Sequence, residues 1–64
     1  MLLRLYARKD DRLNLLKTIC GAFTFHYVPA GRLLIYSKDG WEEYVCESMD
    51  YTAGDGAICA IVSV

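Results

Sequence analysis

Residues 41–51 read Trp41-Glu42-Glu43-Tyr44-Val45-Cys46-Glu47-Ser48-Met49-Asp50-Tyr51, and the fold turns on whether they form a helix or a strand. Taken at three- and four-residue spacing, Trp41, Tyr44, Val45 and Met49 make an apolar stripe of the kind one helix face buries. Strict alternation instead puts Trp41, Glu43, Val45, Glu47 and Met49 on one side, which mixes charge with apolar surface. Asp39 followed by Glu42 has the spacing of a capping box, in which side chains satisfy the orphan backbone N–H groups at a helix start. A helix is therefore expected. Its rival is a strand folded back onto residues 32–37 through the turn sequence Lys38-Asp39-Gly40.

Working outward, residues 22–28 and 32–37 are rich in β-branched and aromatic side chains, and Pro29-Ala30-Gly31 between them has turn chemistry, so a hairpin is predicted. Ala53-Gly54-Asp55-Gly56 reads as a loop. Residues 57–64 are almost wholly apolar and predict a strand that is central in a sheet or lies in an interface. Near the start, residues 2–7 predict a strand with Leu3, Leu5 and Ala7 on one face and Leu2, Arg4 and Tyr6 on the other. Leu13, Leu16, Ile19 and Cys20 then recur at helical spacing, between Asp10 or Asp11 as N-cap and Gly21 as terminator. A second helix is expected there. The order β-α-β-β-α-β resembles the split arrangement of ferredoxin-like folds: an α+β domain with two helices on one face of a four-stranded antiparallel sheet. With residues 41–49 as a strand, the alternative is one helix on a five-stranded sheet.

A chain of 64 residues is expected to be one domain, and its 55% hydrophobic content is more than so small a domain hides unaided. Association with a partner or with further copies is the expected remedy. No apolar run approaches the roughly 18 residues of a membrane-spanning helix, and no export signal is read. Three cysteines, an odd number, argue against a disulfide-stapled framework, so Cys20, Cys46 and Cys59 read as small buried hydrophobes of a cytoplasmic protein. The net charge of −1 conceals a division. Residues 1–36 carry Arg4, Arg8, Lys9, Arg12, Lys17 and Arg32 against Asp10 and Asp11, or +4. Residues 37–64 carry Lys38 against Asp39, Glu42, Glu43, Glu47, Asp50 and Asp55, or −5.

Chemistry is sparse. Cys20, His26, Cys46 and Cys59 lack metal-ligand spacing, so neither a metal nor another cofactor is expected. The lone His26 has no neighbouring nucleophile in sequence, and the Gly54-Asp55-Gly56 loop lacks the lysine of a phosphate cradle. An enzyme is not expected. Three readings remain. The first is a small protein-binding protein, an inhibitor or accessory factor of a virus or mobile element in the host cytoplasm. It would dock through an acidic helix face of Glu42, Glu43, Glu47 and Asp50, with Tyr51 beside it, onto a partner with a basic surface. The second is a single-stranded nucleic-acid binder whose open sheet face presents Arg4, Tyr6, Arg32 and Tyr36. Gly21-Ala22-Phe23-Thr24-Phe25 half resembles the glycine-aromatic signature of RNA-recognition domains, but on the second strand instead of the third. The third is a homo-oligomeric regulatory domain joined through its open sheet face or through residues 58–64.

Overall fold

Asp10 and Asp11 do not cap a helix. Both have positive φ, 52° and 60°, and they form the two-residue tip of a hairpin closed by Lys9 opposite Arg12. Positive φ at both central positions is the type I′ geometry that matches the right-handed twist of the strands it joins. Aspartate tolerates that region better than most side chains do, yet Asn-Gly suits it best. Replacing Asp10→Asn and Asp11→Gly together is expected to raise stability by about 1 kcal/mol, seen as a Tm increase of roughly 4–8 °C in thermal unfolding. A lower Tm would mean that this turn geometry is wrong.

The computed structural model describes residues 1–29, 31–51 and 54–63. They form one mixed sheet of six strands: β1 (Leu3–Lys9), β2 (Arg12–Ile19), β3 (Thr24–Val28), β4 (Arg32–Ser37), β5 (Gly40–Asp50) and β6 (Ile58–Ser63). The spatial order is β2-β1-β6-β5-β4-β3. Neighbours pair antiparallel except β1 and β6, which run parallel through Leu3↔Ile58 to Tyr6↔Ile61. Ala30 of the predicted turn, Ala53 of the predicted loop and Val64 lie outside the described residues.

The α+β expectation is therefore corrected, in both its two-helix and its one-helix form: the described residues contain no helix. One physical cause accounts for both errors. Each supposed helix is a strand with a β-bulge, which places two residues opposite one and breaks the alternation of faces. In β2 the register passes from Leu5↔Lys17 to Tyr6↔Leu15, leaving Leu16 as the extra residue. In β5 it passes from Cys46↔Val62 to Ser48↔Ile61, leaving Glu47. The inward positions of β5 thus run Glu42, Tyr44, Cys46, Met49, and the last step of three imitates a helical repeat. Ser37-Lys38-Asp39-Gly40 is the β4–β5 turn, and Gly40, at φ 96°, takes a conformation in which any side chain is strained.

A four-residue connector, residues 20–23, joins β2 to β3, the two opposite edges of the sheet. Six flat strands would set those edges about 24 Å apart, while the five steps from Ile19 to Thr24 reach roughly 17 Å. The sheet must curl. Its inner face then buries itself: Leu3, Leu5, Leu33 and Ile35 are fully enclosed, with Ala60, Val62 and Cys46 beside them and Phe25, Tyr27, Tyr44 and Met49 packed at the margin. Each large aliphatic side chain so enclosed contributes about 1.5–3 kcal/mol. The N-terminal amine and Ala22 exchange backbone bonds with each other's residue, Met1 N to Ala22 O at 2.9 Å and Ala22 N to Met1 O at 3.0 Å, and so pin the connector across the end of β1.

Candidate binding face

Curling leaves the outer face of the sheet in solvent. Cross-strand register assigns it Arg4, Tyr6 and Arg8 of β1, Leu13 and Leu15 of β2, Cys59 and Ile61 of β6, Trp41, Glu43 and Val45 of β5, and Arg32, Leu34 and Tyr36 of β4. An exposed sheet face is ordinarily polar. This one carries an aromatic cluster.

Trp41 stands directly opposite Tyr36 across the β4–β5 ladder, their ring centroids 5.0 Å apart. Phe23 reaches the same tyrosine from the connector at 5.5 Å, its backbone N–H donating to the Tyr36 carbonyl at 2.8 Å. The rings are tilted against one another by 55° and 34°, at centroid separations within the range of favourable aromatic pairs. Phe23 and Trp41 are 61% and 59% exposed, and Val45, two steps further along the same face of β5, is 62% exposed. Tyrosine at the centre is steadied from both sides. Its phenol is the polar tip of an otherwise apolar patch.

At the other end of the same face lies a pocket of about 320 Å³ lined by Tyr6, Leu13, Ser48, Asp50, Cys59 and Ile61. Its floor is the parallel β1–β6 pair, and the two bulged strands β2 and β5 supply its walls. Bulges bend a strand and steepen its twist, which is how a sheet face acquires such a hollow.

Charge is organised across the whole chain. Each ion pair among the described residues joins a cation from residues 1–36 to a carboxylate from residues 37–64: Arg4–Asp55 at 2.5 Å, Arg8–Glu47 at 3.4 Å, Lys17–Glu42 at 2.6 Å, and Arg32–Glu43. The charge division read from the sequence is thus met within the molecule. Lys17 of β2 crosses the mouth of the curled sheet to Glu42 of β5, and the Tyr44 hydroxyl donates to the same carboxylate at 3.1 Å. The hydrogen bond that Lys17 donates to Glu42 lowers the pKa of the carboxylate and raises that of the ammonium. Burial raises the pKa of Tyr44 and of Cys46. Asp55 is held low by Arg4 and by the Ala57 N–H.

A carboxylate with a depressed folded-state pKa adds stability above its ordinary value and loses it as pH falls through the folded value. Glu42 and Asp55 start from 4.5 and 3.8. The Tm is therefore expected to hold above about pH 5 and to fall on acidification below about pH 4, and the double variant Glu42→Gln, Asp55→Asn should flatten that slope. An unchanged acid slope in the double variant would remove these pairs from the account. Both carboxylates are solvent-screened, so 0.5 M salt should also shrink the effect.

The residues singled out in the sequence fall as follows. Glu42, Glu43, Glu47 and Asp50 do not share a helix face: Glu42 points inward to Lys17, Glu43 outward to Arg32, and Glu47 occupies the bulge and meets Arg8. Asp50 borders the outer pocket, and Tyr51 is exposed with its ring 6.0 Å from Phe25. The acidic helix face through which the inhibitor or accessory reading would dock is therefore absent from the described residues. Arg4, Tyr6, Arg32 and Tyr36 do lie on one face, but as two separate pairs, because β6 and β5 intervene between β1 and β4. Both arginines are paired with carboxylates. Strand β6, Ile58–Ser63, lies inside the sheet, paired with β1 along Ile58–Ile61 on one edge and with β5 on the other. His26 is exposed on β3, with β4 and β5 between it and Cys59 on β6. The described residues hold no group of three or more metal-ligating side chains and no helix long and apolar enough to cross a membrane.

Sequence reading did not place Phe23 among the site residues, and it assigned Trp41 to a helix. Trp41 belongs to the outer cluster only through the strand pairing of residues 41–50, so its signal lay in the rival reading of that stretch, whereas Phe23 joins through its ring contact and backbone bond to Tyr36. Comparison with known protein families, curated proteins and solved structures finds no match.

Proposed function

We propose that this chain is a non-catalytic protein-binding domain that docks through the outer-face patch of Phe23, Tyr36 and Trp41. The observation that carries the reading is the three-ring cluster itself, two of its members about 60% exposed among the described residues. Aromatic side chains anchor interfaces because they bury a large area at low entropy cost while keeping a polar tip. The partner presents an apolar surface, since Arg32 and Glu43 beside the patch already satisfy each other. All three cysteines are free thiols, which supports a reducing compartment such as the cytoplasm.

The test is affinity capture with the wild-type chain and with Trp41→Ala, after nuclease, at low and at high salt. The reading expects a protein retained at high salt and lost from the variant. Captured material that vanishes with nuclease or salt would favour the nucleic-acid alternative, because phosphate contacts are strongly salt-dependent.

A further inference from the structure

The hollow between the two bulged strands has the make-up of a small-molecule site. Its volume of about 320 Å³ lies at the lower end of the range such sites occupy. Leu13, Cys59 and Ile61 give it apolar surface, and Tyr6, Ser48 and Asp50 add side-chain oxygens. A mainly apolar lining with a few polar groups set into it is what holds a ligand and fixes its orientation. Cross-strand register says where each group stands. Cys59 lies opposite Asp50 and Ile61 opposite Ser48 along β5–β6, while Tyr6 lies beside Ile61 along β1–β6. The carboxylate and the Ser48 hydroxyl thus share the β5 side, and the Tyr6 phenol faces them from β1.

Charge says which ligand. Arg4, beside Cys59 on β1, is held by Asp55 at 2.5 Å, and Arg8, further along the same face, reaches Glu47 at 3.4 Å. Those two cations are matched by two carboxylates, so Asp50 gives this end of the face one negative charge in excess. The residues lining the pocket include no lysine, arginine or histidine. A carboxylate has lone pairs for about four hydrogen bonds, so Asp50 keeps its interaction within the chain and still accepts from a ligand.

We propose that this pocket binds a small organic amine, its ammonium against Asp50 and its compact apolar body against Leu13, Cys59 and Ile61. An ammonium donates three hydrogen bonds and accepts none, and Asp50, Ser48 and Tyr6 each carry an oxygen that accepts. Hydrogen bonds between ionised partners are the strong ones, and a ring gains further from contact with a sulfur such as that of Cys59. A carboxylate ligand of the same shape is repelled by Asp50. Val45 and Glu43 of β5 separate the pocket from the aromatic patch, so this site does not depend on the patch.

Titrating the isotope-labelled chain with phenethylamine at neutral pH, and following backbone N–H resonances, should give saturable shifts centred on Tyr6, Ser48, Asp50, Cys59 and Ile61. The expected Kd is on the order of 1 mM, as suits a ligand of so few atoms. Phenethyl alcohol, the same body without the charge, should bind at least about tenfold more weakly, and phenylacetate more weakly still. Asp50→Asn, at an exposed position, should remain folded by circular dichroism and bind the amine no better than the alcohol. The three-probe comparison needs only the wild-type chain, so it decides even where the variant is unfolded. No saturable shift with phenethylamine, equal affinity for the three probes, or a folded Asp50→Asn chain that binds the amine as the wild type does overturns the site. So do shifts centred on Tyr36 and Trp41, which would place the amine on the aromatic patch.

Discussion

Leu33→Ala is expected to leave the domain largely unfolded at 37 °C. Leu33 is completely enclosed on β4, with Tyr27 opposite it on β3 and Tyr44 opposite it on β5. Both neighbours are partly buried and pack against the core at its margin. Truncating a buried leucine costs about 2–5 kcal/mol, and the spread depends on how far the site collapses. At roughly 0.05–0.15 kcal/mol per residue, a 64-residue domain holds only about 3–10 kcal/mol in total. The loss thus matches a large share of what is there. Urea unfolding gives the measure, with Leu15→Ala as its control: the same chemical deletion at a site 54% exposed should cost less than about 1 kcal/mol. A larger loss at Leu15 than at Leu33 would mean that the faces are exchanged, since a one-residue slip in register turns every inward side chain outward.

That dependence on register also explains what the sequence could and could not reveal. Strands β1, β3, β4 and β6 were readable because none of them carries an inserted residue, and Leu3, Leu5, Leu33 and Ile35 emerge as a single inward set. The two misread stretches are those with a residue inserted, Leu16 and Glu47. A period of two with one insertion is locally indistinguishable from a period near three and a half, and only the partner strand reveals the difference. Turn chemistry did carry a correct signal at Lys38-Asp39-Gly40, where the glycine was competing with a capping-box reading of Asp39 and Glu42. The site followed the fold. Trp41 and Tyr36 are five residues apart in sequence and become cross-strand partners only if residues 41–50 are extended. Equally, Glu42 and Glu43 are neighbours in sequence, and alternation sends them to opposite faces and different cations.

Trp41→Ala is expected to weaken partner binding by about 2–4 kcal/mol, or roughly thirty- to several-hundred-fold, with little change in fold. The asymmetry follows from where the side chain sits. Within the domain Trp41 is 59% exposed and packs on Tyr36 alone among the described rings, so truncation forfeits a partial burial and one ring contact. Those losses come to about 1 kcal/mol, a Tm change of roughly 4–8 °C. In the complex the exposed remainder of the indole is covered, and its loss removes the anchor of the interface. Trp41→Phe should recover part of the affinity, because a ring on Tyr36 is kept. Val45→Ala, at the edge of the patch, should cost less than Trp41→Ala, as margins of interfaces do. The stacked arrangement makes a further demand: Tyr36→Ala unseats Phe23 and Trp41 together, so the double variant Tyr36→Ala, Trp41→Ala should lose less than the sum of the single losses. Strict additivity would mean that the rings act independently, and a Trp41→Ala variant that binds normally but loses several kcal/mol of stability would make the cluster a structural clasp instead of a docking surface.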